Sequence, residues 1–240
     1  MTGKWAFIAV LAAFLVATAL WLNRPSANAE ESLVDCARQE SLRNFSTFKD
    51  YTCRIQSHRK VWKTDGVLHK RNYLLKKLLV LQPDKRREVF VEGTLNGEKA
   101  EEKDFIFERL GFDKGLDISD IECFRPDAAG RFAFEERPDR VIAFRSLAPG
   151  KTKLQTGKIN LASDSCRVVR ISGRFVHRKI VNNEVDFVTT FRPVAKSVWL
   201  PSDMSVSGTV NLGIIKRRIE AKKEFLDYRL NVGLTAADFD

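Results

Sequence analysis

The sequence predicts a mainly β protein of the α+β class, in which one helix precedes an antiparallel sheet of roughly nine to eleven strands. Over residues 31–49, apolar residues recur at spacings of three and four, the period of an amphipathic helix. After Asp50 the apolar period changes to two through many short segments separated by turn residues, which is typical of an antiparallel meander. There is no succession of alternating strand and helix patterns, so a parallel sheet is disfavoured.

The helix and the first strands follow from these periods. The apolar positions of the helix are Leu33, Cys36, Ala37, Leu42, Phe45 and Phe48. In the first strand Tyr51, Cys53 and Ile55 alternate with polar residues. Thr64-Asp65-Gly66 predicts a hairpin turn into a strand over about residues 69–81, and Asn96-Gly97 predicts a second hairpin after a strand over 87–92. Residues 100–122 fit a short helix at least as well as a strand.

The remaining strands are predicted around residues 132–134, 142–144, 159–161, 169–175, 185–191, 204–212 and 216–228. Asp164-Ser165 is the expected turn within this region, and Gly173 the expected bulge or point of close approach. No linker divides the chain. We therefore expect a single domain over residues 30–231 and a flexible tail over 232–240.

The first 29 residues have the features of a signal peptide. Lys4 precedes an uncharged apolar run over residues 5–22, Pro25 follows, and Ala27-Asn28-Ala29 matches a small-x-small cleavage site. We expect cleavage after Ala29 and a mature protein in the periplasm or outside the cell. The alternative is an uncleaved membrane anchor, because the apolar run is just long enough to span a bilayer.

Composition and motifs exclude several other classes. The 240-residue chain is 44% hydrophobic and 30% charged, which is typical of a folded globular protein. Its net charge of +10 makes it basic. The three histidines lack metal-ligand spacing, and neither a G-x-S-x-G elbow nor a Gly-rich phosphate loop occurs. We expect no catalytic residues, no metal and no cofactor, while an enzyme whose site has no sequence motif stays a third alternative.

Four cysteines in an exported chain predict disulfides, with three possible connectivities. Pairing of sequence neighbours gives Cys36–Cys53 and Cys123–Cys166. The alternative is four reduced, buried cysteines. No C-x-x-C motif occurs, so neither a redox pair nor a zinc knuckle is indicated.

One helix is ~10–12 Å across, far narrower than ten strands spaced ~4.8 Å apart, so the sheet has to curl. It can close on itself, pack as two sheets or enclose an apolar ligand. The residues expected to line a ligand cavity are chosen by strand parity. They are Phe90, Phe132, Phe134, Ile142, Phe144, Val169, Ile171, Val185, Phe187, Phe191, Val206 and Val210.

Basic residues recur among the strands as Lys76-Lys77, Lys85-Arg86-Arg87, Lys216-Arg217-Arg218 and Lys222-Lys223. Such runs usually form a solvated face. The alternative is that they bind an anionic partner. Outside the cytosol, an anionic membrane surface is a better candidate for this partner than nucleic acid. No motif for reading RNA or DNA is present, so no nucleic acid partner is expected.

Several segments carry a family resemblance. They are Phe48-Lys49-Asp50-Tyr51-Thr52-Cys53, Gly157-Lys158-Ile159-Asn160-Leu161, the stretch from Asp164 to Gly173, Val198-Trp199-Leu200-Pro201 and Phe225-Leu226-Asp227-Tyr228-Arg229. Together they resemble the bacterial outer-membrane lipoprotein carrier superfamily, the LolA/LolB-like proteins, including its members of unknown function. The resemblance implies an incomplete, strongly curved antiparallel β-barrel with a helix packed on its concave face, which holds acyl chains.

The sequence therefore favours a monomeric, non-enzymatic cell-envelope protein that binds a lipid, an acyl chain or a lipidated protein in a concave apolar cavity. The alternative is a structural or assembly protein of the envelope, which binds a protein partner through its sheet edge or its basic face.

Overall fold

The computed structural model describes residues 32–82, 85–105, 122–124, 130–148, 154–177, 183–212 and 215–239. The predicted signal peptide and most of the ambiguous stretch after residue 105 lie outside these residues. Short 3₁₀ turns at Glu102–Asp104 and Glu122–Phe124 are the described parts nearest to that stretch.

One α-helix and eleven strands make up the regular structure of the described residues. The helix α1 spans Leu33–Ser46. The strands are β1 (Asp50–Trp62), β2 (Leu68–Leu81), β3 (Lys85–Leu95), β4 (Glu98–Lys99), β5 (Phe132–Arg137), β6 (Val141–Ser146), β7 (Leu154–Leu161), β8 (Val168–His177), β9 (Asn183–Ala195), β10 (Val198–Leu212) and β11 (Ile215–Leu230). The predicted strand count and the predicted fold class are confirmed.

All eleven strands belong to one antiparallel sheet. Its order is β4-β3-β2-β1-β11-β10-β9-β8-β7-β6-β5, so every pair of neighbouring strands is consecutive in sequence except β1 and β11. β4 and β5 form the two edges of an open, curved sheet, the incomplete barrel that the family resemblance implies. The first and last strands therefore lie side by side in the middle of the sheet.

The helix α1 packs on the concave face at one end of the strands. Ala37, in the middle of the helix, is completely buried against the core. The backbone N–H of Val34 donates to Glu136 Oε1 on β5 at 3.2 Å. At the other end of the helix, Asn44 Nδ2 donates to the Trp199 carbonyl at 2.9 Å and Asn44 Oδ1 accepts from the Trp199 N–H at 2.7 Å. α1 thus connects β5 with β10 across the concave face.

The disulfide of the structure joins Cys36 to Cys166, so the two predicted pairings are wrong. The Cα atoms of this pair are 5.7 Å apart, within the range that a disulfide requires, although 130 residues separate them in sequence. Cys53 and Cys123 are buried thiols outside this bond. The pairing of sequence neighbours fails because α1 packs against the turn between β7 and β8, which no local pattern reveals.

The turn that carries Cys166 is held from two sides. Arg140 Nε donates to the Ala162 carbonyl at 2.8 Å, and one of its terminal nitrogens donates to the Ser165 carbonyl at 2.8 Å. Arg167 Nε donates to Glu40 Oε1 on α1 at 3.0 Å. The disulfide and this ion pair fix the helix to the end of β7 and β8.

The predicted turns are confirmed where the structure describes them. Gly66 and the Asn96-Gly97 pair adopt positive φ angles at the tips of the first two hairpins. At Gly173 a Cβ atom would lie 2.3 Å from the Thr156 carbonyl oxygen, so the predicted close approach of two backbones occurs there.

No helix among the described residues has the length and hydropathy of a membrane span.

Candidate ligand-binding face

The concave face is the face of the sheet that carries Cys53 and Met204 and that α1 covers at one end. Of the twelve residues predicted to bind a ligand, nine lie together in its apolar cluster. Phe132, Ile142, Phe144, Ile171, Val185 and Phe187 are buried, whereas Phe134, Phe191 and Val206 are half-buried against them. Phenylalanine rings contact one another at its β5 edge, where the centroids of Phe132 and Phe144 are 6.1 Å apart.

The other three predicted residues are placed differently. Phe90 on β3 is half-buried and contacts the Phe105 ring at 6.0 Å, outside the cluster. The side chain of Val210 lies outside the described residues. Val169 is the extra residue of a β-bulge, since Asn160 pairs with Arg170 but Leu161 already pairs with Val168. The bulge places Val168 in the cluster instead of Val169.

Sequence reasoning missed other members of the same face. Ile159, Leu200 and Met204 are almost completely buried in the cluster. Met204 lies two residues before Val206 on the same strand, so strand parity could have found it. We call the concave side of β5–β10 the apolar floor; its members are Phe132, Phe134, Ile142, Phe144, Ile159, Ile171, Val185, Phe187, Phe191, Met204 and Val206.

Three of the basic runs do not form a purely solvated face. Within each run, one residue points outward and its neighbour lies on the concave face, because successive strand residues alternate. Lys77, Arg87 and Lys222 are exposed. Their neighbours Lys76 and Arg86 are half-buried, and Lys223 is only 6% exposed.

Together with Arg59, which is 2% exposed, these inward residues form what we call the cationic patch: Arg59, Lys76, Arg86 and Lys223. The strand register places them on neighbouring strands. Lys76 pairs with Ile55, and Lys223 pairs with Ser57, which lies two positions before Arg59 on β1.

Glu88 on β3 is a carboxylate that contacts this patch. Its two oxygens accept from Lys76 Nζ at 3.1 Å and from an Arg86 terminal nitrogen at 2.9 Å. Burial alone would raise the pKa of Glu88, but Lys223, Lys76 and Arg86 outweigh it and hold the pKa below its ordinary value. Glu88 is therefore ionised at neutral pH and fixes the positions of the two cations that it contacts.

Two buried polar atoms on the concave face lack a hydrogen-bond partner among the residues that the structure describes. They are Asn72 Oδ1, beside Arg59 in the strand register, and Thr189 Oγ1, between Ile171 and Met204. Asn72 is 2% exposed and Thr189 is fully buried. A buried polar atom without a partner costs free energy, and a ligand atom or a water molecule can relieve that cost.

Cys53 also lies on this face, and its thiol is unreactive. Burial raises the pKa of its thiol to about 12, an effect that Arg86 only partly offsets. Tyr228, whose pKa is raised well above its ordinary value mainly by burial, donates its hydroxyl proton to the Pro201 carbonyl at 2.8 Å. A thiol with such a pKa is not a nucleophile at neutral pH.

A pocket of about 610 Å³ lies mainly on the opposite side of the same strands. Outward-facing residues of β9, β10, β11 and β1 line most of it, including Val188, Ser205, Lys222 and His58, while Phe187 and Val206 also contribute. The charged groups that line the pocket are of both signs.

Within the described part of the chain, no group of His, Cys, Asp or Glu side chains could hold a metal ion.

Comparison with known proteins finds only distant structural similarity. No family model matches the sequence, and no curated protein matches it. Among solved structures, the chain is similar to a DUF1329 family protein from Desulfovibrio piger, with 12% identity, a TM-score of 0.39 and coverage of 87% of this chain and 98% of that one. It is also similar to a domain from Vibrio parahaemolyticus described as an outer membrane lipoprotein-sorting protein, with 12% identity, a TM-score of 0.41 and coverage of 89% and 97%.

A chain of the Pseudomonas aeruginosa MucA/MucB complex matches at 9% identity with a TM-score of 0.19, over 82% of this chain and 99% of that one. At these identities and TM-scores, the neighbours carry no argument about function.

Proposed function

We propose that this chain is a non-enzymatic protein of the cell envelope that binds a lipid, an acyl chain or a lipidated protein along its apolar floor. The observation that carries the proposal is a mismatch of size between the helix and the sheet. The 14 residues of α1 span about 21 Å, whereas eleven strands spaced about 4.8 Å apart form an arc of roughly 50 Å. Among the described residues, α1 and the 3₁₀ turn Glu122–Phe124, whose Phe124 ring lies 6.0 Å from that of Phe134, cover part of the floor, and a ligand would lie against its half-buried members.

The half-buried members of the floor support the same function. Phe134 on β5, Phe191 on β9 and Val206 on β10 are only half-buried although they lie on the apolar side of their strands. Covering such side chains with an acyl chain removes apolar surface from water, and each buried CH₂ contributes about 0.8 kcal/mol. The predicted signal peptide would deliver this surface to the envelope, where lipids and lipidated proteins are the apolar ligands at hand.

Binding of the neutral fluorescent probe N-phenyl-1-naphthylamine tests the proposal. Phe134→Asp places a charge on the floor at an edge strand, and its matched control Ala133→Asp places the same charge on the opposite face of that strand. We expect Phe134→Asp to weaken probe binding at least about tenfold, since a buried, unpaired charge opposes an apolar ligand. Ala133→Asp should bind like the unmodified protein, and thermal melting should show both variants folded.

A third variant distinguishes the alternative of an outward-facing partner site. Ser205→Trp places a bulky side chain in the 610 Å³ pocket, on the face of β10 opposite the floor. Loss of probe binding in this variant alone would move the ligand to the outer pocket. A protein that binds no probe, and in which Phe134→Asp only lowers the melting temperature, would have a filled core, which contradicts the proposal.

A further inference from the structure

The disulfide between Cys36 on α1 and Cys166 in the β7–β8 turn keeps access to solvent. Both of its residues are half-buried, whereas the thiols Cys53 and Cys123 are 2% and 3% exposed. The turn is exposed at residues 163–164, directly before the second cysteine of the bond. A thiol in solution can therefore approach this bond while the sheet stays folded, and exposed disulfides are the ones that exchange with external thiols.

A guanidinium group lies against one of the two sulfur atoms. A terminal nitrogen of Arg140, in the turn between β5 and β6, is 3.6 Å from Cys166 Sγ. The same guanidinium donates to the Ala162 and Ser165 carbonyls, both at 2.8 Å, so its position beside the sulfur is fixed. A cation beside a cysteine sulfur stabilises its thiolate form, and the sulfur with the more stable thiolate is the better leaving group in thiol–disulfide exchange.

The charges around the other sulfur do not favour a thiolate in the same way. The cation two residues after Cys36 on the helix, Arg38, is held by Asp35 at 2.8 Å. The Glu136 carboxylate accepts from the Val34 N–H in the first turn of α1 and offsets the positive end of the helix dipole. The two sulfur atoms of the disulfide are therefore chemically unequal.

We propose that the Cys36–Cys166 disulfide is a site of thiol–disulfide exchange with an external dithiol. One thiolate of the dithiol attacks Cys36 Sγ and forms a mixed disulfide with it, while the Cys36–Cys166 bond breaks and leaves its electron pair on Cys166 Sγ beside Arg140. The second thiol of the dithiol then attacks the mixed disulfide and displaces the Cys36 thiolate. The dithiol is oxidised to a disulfide, the two cysteines are reduced, and the two protons of the dithiol end on them.

Exchange at this site frees α1 and leaves the sheet folded. A helix of 14 residues is marginal in water on its own, and Ala37 is the buried residue of this one. Its other described contacts include hydrogen bonds at its two ends and the partly exposed ion pair of Glu40 with Arg167. We expect reduction to keep the strand signal in circular dichroism and to raise the hydrogen exchange rates of the α1 amides at least about tenfold.

Glutathione tests the position of attack, because this monothiol stops at the mixed disulfide when the reaction is short. The folded protein is treated with glutathione, its accessible thiols are then blocked with N-ethylmaleimide, and the modified cysteines are mapped by mass spectrometry. We expect glutathione on Cys36 and maleimide on Cys166. The buried thiols Cys53 and Cys123 should stay unmodified and serve as an internal control.

Variants of Arg140 test the role of the cation. We expect dithiothreitol to reduce Arg140→Gln at least about fivefold more slowly than the unmodified protein, and Arg140→Lys to keep most of the rate. The matched control Arg170→Gln removes an exposed cation of β8 and should be reduced at the unmodified rate. If Arg140 only held the turn in place, its loss would loosen the turn and speed the reduction, so the two roles change the rate in opposite directions.

Several results would overturn the inference, and none of them depends on the proposed function. Glutathione found on Cys166 would reverse the order of attack. Faster reduction of Arg140→Gln would make that residue purely structural. Reduction of the unmodified protein only at its rate of global unfolding would refute the exchange site itself, and this measurement stands even if the Arg140 variants do not fold. Unchanged hydrogen exchange of α1 after reduction would refute the release of the helix.

Discussion

At the scale of single residues, the concave face combines groups that resist ionisation with groups that are held ionised. Cys53 and Glu88 lie on neighbouring parts of this face and share Arg86 as an influence on their pKa values. Burial dominates at Cys53 and raises its pKa, whereas three nearby cations dominate at Glu88 and lower its pKa. Along β1, the concave face is thus apolar and neutral at Cys53 and charged at Arg59.

The raised pKa of Cys53 predicts a loss of stability at alkaline pH. The thiol has a pKa of about 12 in the folded chain against 9.0 ordinarily, so above pH 9 the unfolded chain releases a proton that the folded chain keeps. The free energy of unfolding should therefore be fully retained below pH 9 and fall by up to about 1.4 kcal/mol per pH unit above it. Urea denaturation at pH 8, 9 and 10 measures this slope.

The control for this prediction is Cys53→Ala, which removes the thiol and leaves Tyr228 in place. This variant is less stable at pH 8 because it leaves a cavity, but its stability should fall less steeply between pH 9 and 10. Equal slopes for the two proteins would show that Cys53 does not have the raised pKa.

At the scale of elements, α1 depends on covalent and ionic contacts with the distant end of β7 and β8. Asn44, Glu40 and Cys36 each contact residues more than 100 positions away, so the position of the helix is set by tertiary contacts. In the chain-entropy model, a disulfide that closes a loop of 130 residues raises the free energy of unfolding by about 5 kcal/mol.

Removal of the disulfide tests this dependence. We expect the double variant Cys36→Ser, Cys166→Ser to lose about 2–4 kcal/mol of unfolding free energy, since measured disulfides commonly contribute less than the entropy model gives. Urea denaturation with and without dithiothreitol measures it: the reductant should destabilise the unmodified protein by a similar amount and leave the double variant unchanged. Alkylation and mass spectrometry that found Cys53 in a disulfide would contradict the pairing.

Strand parity predicted most of the apolar floor because the alternation of side chains is local to each strand. It failed at Val169, where one extra residue in β8 moves the inward position to Val168. The disulfide was not predictable, because it depends on where α1 packs on the finished sheet. The cationic patch was missed for a different reason: consecutive basic residues were considered either a solvated face or a surface for an anionic membrane, although a strand directs every second residue inward.

At the scale of the whole molecule, the first and last strands meet in the middle of the sheet. β1 pairs with β11 from Tyr51 opposite Leu230 to Trp62 opposite Arg218. Asp50 completes the junction, since its carbonyl accepts from the Asn231 N–H at 2.8 Å and its carboxylate accepts from the Val232 N–H at 2.6 Å. Contacts of such large sequence separation make folding slow and make the last strand essential for the sheet.

This topology gives a prediction about the boundaries of the domain, which the sequence places at residues 30 and 231. A chain from Glu30 to Val232 keeps β11 and the junction at Asp50, and it lacks the 3₁₀ turn Ala236–Phe239. The truncation removes an exposed hydrogen bond of 3.1 Å, which Arg87 donates to the Asp238 carbonyl in the full chain. We expect one cooperative unfolding transition and a decrease in unfolding free energy of no more than about 1 kcal/mol.

The matching truncation ends the chain at Leu212 and removes β11. It deprives both β1 and β10 of a neighbour in the middle of the sheet, so the backbone groups of two long strands lose their partners. We expect this chain to show no cooperative transition in circular dichroism and no binding of N-phenyl-1-naphthylamine. If it folded and bound the probe, the floor over β5–β10 would be an independent unit, and the single domain over residues 30–231 would be wrong.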